Sequence, residues 1–290
     1  MQPRLVTLAP LALLPALACG AGAPSRSDAP PPDTPRSGYA TVDGLRIYYE
    51  EHGRGQPLVL LHGGLTTAQV SFSAILPALA RSRRVIAIEQ QGHGHTADRD
   101  GPLSFPTMAA DTAAVLRHLQ VTDADILGYS DGGVVALELA ARHPELVDDL
   151  ILVETGFSAA ALDDQTRAWL TGATPADFGP LGAAYAEVAP RPEHWPTLVE
   201  KWKVLQLGFA GITPAGLRAI DAPALVLAGD RGVPVEHTLE LFRHLRDARL
   251  AVLPGADYFV LSSHAAHAVP LILGFLDEAP PQPEDHHGSR

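Results

Sequence analysis

A short apolar run, Ala124, Ile126 and Leu127, leads into Gly128-Tyr129-Ser130-Asp131-Gly132. Behind it follows Gly133-Val134-Val135-Ala136-Leu137-Glu138-Leu139-Ala140. Composition and hydrophobic repeat predict a strand before the pentapeptide and a helix after it. A strand that turns sharply into a helix with serine at the apex is a nucleophile elbow. The turn forces unfavourable backbone angles on the serine, and glycine two residues away on each side removes side chains that would collide with its neighbours. Ser130 then stands at the mouth of the sheet, where N–H groups of the helix start point toward any developing negative charge.

The remainder of the chain supplies the sheet. Two alternating runs between Tyr39 and Glu51 meet at Asp43-Gly44, a hairpin signal. Buried strands are expected at Leu58 to Leu61, Val85 to Ile88, Leu150 to Val153, Ala224 to Ala228 and Leu250 to Leu253. Helices are expected at about 68–80, 107–119, 235–245 and 264–276. This alternation predicts an α/β fold, a mostly parallel sheet flanked by helices. It is interrupted from about 155 to 219 by a helical segment that holds all three tryptophans, Trp169, Trp195 and Trp202. Inserted above the carboxyl ends of the strands, that segment would cap the crevice where such sheets bind ligands.

Charge and composition narrow the partners. A net charge of −12 argues against nucleic acid or an anionic membrane face. A single cysteine leaves no intrachain disulfide and no cysteine-based metal site. No G-x-G-x-x-G follows a strand and no phosphate-binding lysine loop is present, so no cofactor is expected. Residues 1–18 read as an export signal, with Arg4 ahead of an apolar stretch from Leu5 to Leu17. The stretch ends in Ala16-Leu17-Ala18-Cys19-Gly20, which resembles a lipobox with Ala16 in place of the usual leucine. A lipid on Cys19 would be the only membrane contact of an exported, cell-envelope protein. Residues 19–37 read as a flexible tether and 279–290 as a disordered tail, which leaves 38–278 as the folded domain.

From about Gly38 to Glu278 the chain resembles the α/β-hydrolase fold superfamily, of the serine esterase-like type. The matching residues are Leu60-Leu61-His62-Gly63-Gly64, Gly92-His93-Gly94, Gly128 to Gly133, Ala224 to Asp230 and Leu253-Pro254-Gly255-Ala256. The resemblance implies Ser130 as nucleophile, with an oxyanion hole from the backbone N–H groups of Asp131 and Gly64. It implies structural roles for His62 and His93, and no metal is expected at His95.

Two positions depart from the family. The acid of the triad is expected where this chain has Gly232, within Gly229-Asp230-Arg231-Gly232-Val233-Pro234. The histidine is expected where it has Tyr258, after Pro254-Gly255-Ala256-Asp257. A serine hydroxyl is a weak nucleophile until a positioned base takes its proton. A tyrosine with an ordinary pKa near 10 is in the wrong form for that at neutral pH.

Three outcomes are open at this point. The triad is rebuilt, with His264 as base and Asp230 as acid, or with His267 and Glu154 as their substitutes. In that case the chain is a serine hydrolase cleaving a small ester or amide with an apolar portion. Alternatively the domain is catalytically impaired and holds an apolar ligand, or Ser130 acts weakly on an activated ester. In each case the partner is a small molecule.

Overall fold

A computed structural model describes residues 34–278. The expected leader, Cys19, most of the tether and the tail 279–290 lie outside the described residues. Eight strands form one sheet: β1 (Arg36–Val42), β2 (Leu45–His52), β3 (Gln56–Leu61), β4 (Arg83–Ile88), β5 (Ala124–Tyr129), β6 (Val147–Val153), β7 (Ala224–Arg231) and β8 (Ala248–Asp257). Their order is β1-β2-β4-β3-β5-β6-β7-β8. Only β1–β2 and β2–β4 pair antiparallel; β4 through β8 are parallel.

The helices are α1 (Ala68–Phe72), α2 (Leu76–Leu79), α3 (Phe105–His118), α4 (Asp131–Arg142), α5 (Asp164–Gly172), α6 (Gly179–Val188), α7 (Trp195–Gly208), α8 (Pro214–Arg218), α9 (Val235–His244), α10 (Val260–Ser263) and α11 (Ala265–Leu276). The single helix expected over 68–80 is two short ones, because Pro77 favours a fresh helix start there. Among the described residues no helix is long and apolar enough to cross a membrane.

The strand alternation divides the core in two. Val59, Leu61, Ile86, Ile126, Leu150 and Val226 face α3, α4 and α9 in one buried cluster. Their neighbours Leu58, Leu60, Val85, Leu127, Ile151 and Leu225 face α1, α2 and α11 in the other. Side chains of successive strand residues point to opposite faces, so strands covered on both sides must be apolar throughout, as these are. Burying each such side chain contributes about 1.5–3 kcal/mol.

One buried side chain works against this core. His237 on α9 is 4% exposed and stacks on Phe157 with ring centroids 4.3 Å apart. Neither ring nitrogen has a hydrogen-bond partner. Burial lowers its pKa from the ordinary value, so the unfolded chain takes up a proton there more readily than the folded one. Stability should therefore fall as the pH drops below about 6.5. His237→Leu removes both orphan nitrogens, each of which costs roughly 1–3 kcal/mol when buried unpaired. Thermal melts at pH 8 and pH 5 should show a smaller loss on acidification for the leucine variant.

Candidate active site and ligand pocket

The elbow forms as the glycines require. Ser130 has φ 54° and ψ −117°, follows the last residue of β5 and immediately precedes α4. Its N–H donates to the Val153 carbonyl on β6 at 2.8 Å. A methyl group on Gly132 would overlap the Leu61 carbonyl of β3, and one on Gly128 would overlap the backbone of Gly132. Holding a serine at such angles costs about 1–3 kcal/mol, which the surrounding packing sustains.

Above Ser130 lies a cavity of about 210 Å³, whose lining includes Asp131, Glu154, Trp169, Trp202 and Tyr258. Its walls are otherwise largely apolar, with Phe105, Val134, Leu170 and Phe209. The roof comes from the expected insertion, whose helices α5 and α7 carry Trp169 and Trp202. These two rings flank Phe178 edge-on, each 5.6 Å from it. Trp195 lies elsewhere and packs on Tyr185.

No histidine lines this cavity among the described residues. The structure does not bring His264 or Asp230 to Ser130, so the rebuilt triad expected from sequence is corrected on both counts. His264 is the residue preceding α11, and its Nδ1 pairs with Ser263 Oγ at 2.9 Å. His267, the other substitute base, is exposed on α11. Asp230 is exposed and accepts the Gly255 N–H at 2.8 Å. The reason is that the two expected turns are strand: β7 runs on to Arg231 and β8 to Asp257, with a register shift between Gly229 and Arg231. Asp230 thus stitches a strand pair instead of facing the serine.

His62 and His93 are buried and fully engaged. His62 Nδ1 meets the Gly63 carbonyl at 2.8 Å while Nε2 accepts the Gln90 N–H at 3.0 Å. His93 Nδ1 meets the Gln91 carbonyl at 2.9 Å while Nε2 accepts the Leu65 N–H at 3.1 Å. His95 pairs with the Glu89 carboxylate at 2.8 Å.

Tyr258 occupies the place of the base, and its hydroxyl donates to Ser130 Oγ. Its backbone is held by the Tyr129 hydroxyl, which donates to the Tyr258 carbonyl at 2.9 Å. Burial pushes the Tyr258 phenol above its ordinary pKa, and the negative charges of Asp131 and Glu154 add to this. The phenol therefore stays protonated and donates a hydrogen bond; it does not accept the serine's proton.

Glu154, at the end of β6, fills the space that a side chain at position 232 would need. A methyl group on Gly232 would overlap the Glu154 carboxylate. That carboxylate accepts N–H groups of Gly229 at 2.6 Å and Val233 at 2.7 Å. Burial pushes it up to about 7 in spite of those two donors.

A carboxylate lies beside the expected oxyanion hole. Asp131 turns its carboxylate back beneath the cap, where Trp202 Nε1 donates at 2.8 Å and Gln206 Nε2 at 2.8 and 2.9 Å. A side chain on Gly64 would overlap both the Asp131 carboxylate and the Trp202 indole nitrogen. A half-buried carboxylate, its pKa raised by desolvation, thus sits beside the Gly64 backbone. An anion beside it would meet like charge. Sequence reading missed this pair, although Trp202 and Gln206 are spaced i, i+4 and so share one face of α7.

Residues 56–194 match the family described as alpha/beta hydrolase fold. The chain belongs to the α/β-hydrolase fold superfamily. It is 28% identical over 276 residues to 2-hydroxymuconate semialdehyde hydrolase of Pseudomonas sp. (strain CF600), covering 86% of this chain and 97% of that one. It is 27% identical over 232 residues to the serine hydrolase BPHL of Mus musculus, covering 75% and 78%. Among solved structures, Est816, an N-acyl homoserine lactone degrading enzyme, superposes with a TM-score of 0.66 at 26% identity, covering 82% and 99%. A membrane phospholipase A superposes with a TM-score of 0.73 at 22% identity, covering 84% of this chain and 86% of that one, which speaks for the fold alone. The α/β-hydrolase relatives are hydrolases.

Proposed function

We propose that this α/β-hydrolase domain binds a small carbonyl compound with an apolar body beneath its cap, as a hydrolase-like protein with its ester chemistry impaired. We place it outside the cytoplasm, held by a lipid on Cys19. One observation carries the reading: the atom next to Ser130 Oγ is the hydroxyl of a half-buried, protonated Tyr258. A missing general base is worth about 10²- to 10⁴-fold in rate. The Asp131 carboxylate over Gly64 weakens the second main source of ester catalysis, a preorganised oxyanion site. What remains is a largely apolar cavity lined in part by a serine hydroxyl.

A second reading, a serine hydrolase acting on a small ester or amide with an apolar portion, has one observation in its favour. The strained backbone of Ser130 persists, and strain is costly to hold where it has no use. Phenyl acetate separates the two. Trp169 is 51% exposed and Trp202 lines the cavity, so tryptophan fluorescence should report filling of the pocket. The expected result is a saturable fluorescence change with hydrolysis no faster than that of the Ser130→Ala variant. Turnover well above the alanine variant would establish the second reading instead.

A further inference from the structure

Two residues of the site share a conformation that L-residues rarely adopt. Ser130 has φ 54° and Glu154 has φ 48°. They end neighbouring parallel strands in register, since Tyr129 pairs with Val153 and the Ser130 N–H donates to the Val153 carbonyl. Adjacent strands lie about 4.8 Å apart, so the two backbones turn off the sheet side by side. Both side chains line the same apolar cavity. Strain of this kind concentrates where a geometry is put to use.

The hydrogen bonds give each group a direction. Tyr258 donates to Ser130 Oγ, which leaves the serine's own proton free to be donated into the cavity. In such a chain the first bond polarises the second, so Ser130 becomes a better donor than an isolated hydroxyl. Glu154 takes hydrogen bonds from the backbone alone, at Gly229 and Val233, and no Lys, Arg or His side chain lines the cavity among the described residues. A carboxylate lining the same largely apolar cavity as a hydroxyl donor is equipped to move a proton between carbon and oxygen.

We propose that the pocket catalyses enolisation, with Glu154 taking a proton from the carbon next to a bound ligand's carbonyl while Ser130 donates to the carbonyl oxygen. The proposal rests on the reading that the cavity holds a small carbonyl compound. The C–H bond breaks and its proton goes to a Glu154 carboxylate oxygen. The electron pair forms the carbon–carbon double bond, and the charge that develops on oxygen is met by the Ser130 O–H. Return of the proton, to the same carbon or to a conjugated one, restores the carboxylate and gives exchange or isomerisation. Neither oxidant nor metal is needed, and no covalent bond to Ser130 forms.

The groups around Glu154 suit the role. The hydroxyls of Tyr129 and Tyr258 are held above their ordinary pKa by burial and stay neutral. Asp257 on β8 adds negative charge that helps to raise Glu154, and the remaining carboxylate of the site, Asp131, is engaged by Trp202 and Gln206. A base with its pKa near the working pH combines a populated carboxylate with useful basicity.

The test uses the full chain and cyclohexanone in D₂O, with loss of the α-proton signals followed by proton NMR. Saturation transfer from protein to ketone reports binding in the same tube. The expected result is exchange above the protein-free rate, rising with pH to a plateau through about 7 as Glu154 ionises. Glu154→Gln should lower the rate by about 10²-fold or more. Tyr258→Phe should lower it by about tenfold or more while saturation transfer persists, since it weakens the donor and leaves the ring in place. Saturation transfer without exchange would overturn the inference and leave the binding reading intact. So would exchange that rises steadily with hydroxide and shows no plateau, or a Glu154→Gln rate equal to the parent's. Absence of both signals would overturn both readings.

Discussion

Replacing Tyr258 by histidine should turn this domain into a working esterase. The imidazole would stand where a phenol now donates to Ser130 Oγ, and Glu154 lines the same cavity with its carboxylate fixed by the Gly229 and Val233 N–H groups. Serine, imidazole and carboxylate would then share the end of the sheet between β5, β6 and β8. A positioned general base is worth about 10²- to 10⁴-fold. The Asp131 carboxylate over Gly64 should hold the gain toward the lower end, because it opposes the developing oxyanion. Steady-state hydrolysis of phenyl acetate by Tyr258→His should therefore exceed the parent by about 10²-fold. Adding Ser130→Ala should abolish the gain, and adding Glu154→Gln should remove most of it. A folded Tyr258→His variant as inert as the parent would show that the impairment lies in the oxyanion site and not in the base.

The largest effect on stability is expected from Gly132→Ala. Position 132 is the second residue of α4, and a methyl there would overlap the Leu61 carbonyl and crowd that of His62 on β3 and its following loop. Both are backbone atoms inside the core, where close packing leaves no room for either side to retreat. The variant can fold only by pushing α4 away from β3, which opens contacts of Val134, Val135 and Leu137 with the buried cluster on that face. A loss above 4 kcal/mol, or failure to fold, is the expected outcome of a urea titration. Gly172→Ala is the matched control, because a methyl there meets nothing within 4 Å. A Gly132→Ala variant as stable as the control would contradict the elbow geometry.

Legibility followed periodicity. Every strand expected from an apolar or alternating run is present, because strands buried on two faces cannot conceal their composition. The elbow was readable for a different reason: only glycine fits at 128 and 132, so the backbone shape is written in residue type. The site's chemistry was less accessible. The absence of acid and base at positions 232 and 258 is plain in the sequence, but what takes their place depends on register. Asp230 follows the same glycine as a family acid loop, yet it lies in a strand extension whose limits are set by pairing with β8. Glu154 was a named substitute, but its fit against Gly232 joins residues 78 positions apart and becomes visible only once β6 and β7 are side by side. The capture of Asp131 by Trp202 and Gln206 depends on how the cap seats, which no local pattern encodes.

The central claim is that Ser130 lacks a base because Tyr258 holds it by donating a hydrogen bond. The most direct measurement is the rate at which a fluorophosphonate probe labels the purified chain, set beside Ser130→Ala and Tyr258→His under identical conditions. Labelling of the parent should match the alanine variant within a few-fold, and the histidine variant should label at least about 10²-fold faster. Rapid labelling of the parent at Ser130, equal to that of Tyr258→His, would contradict the account.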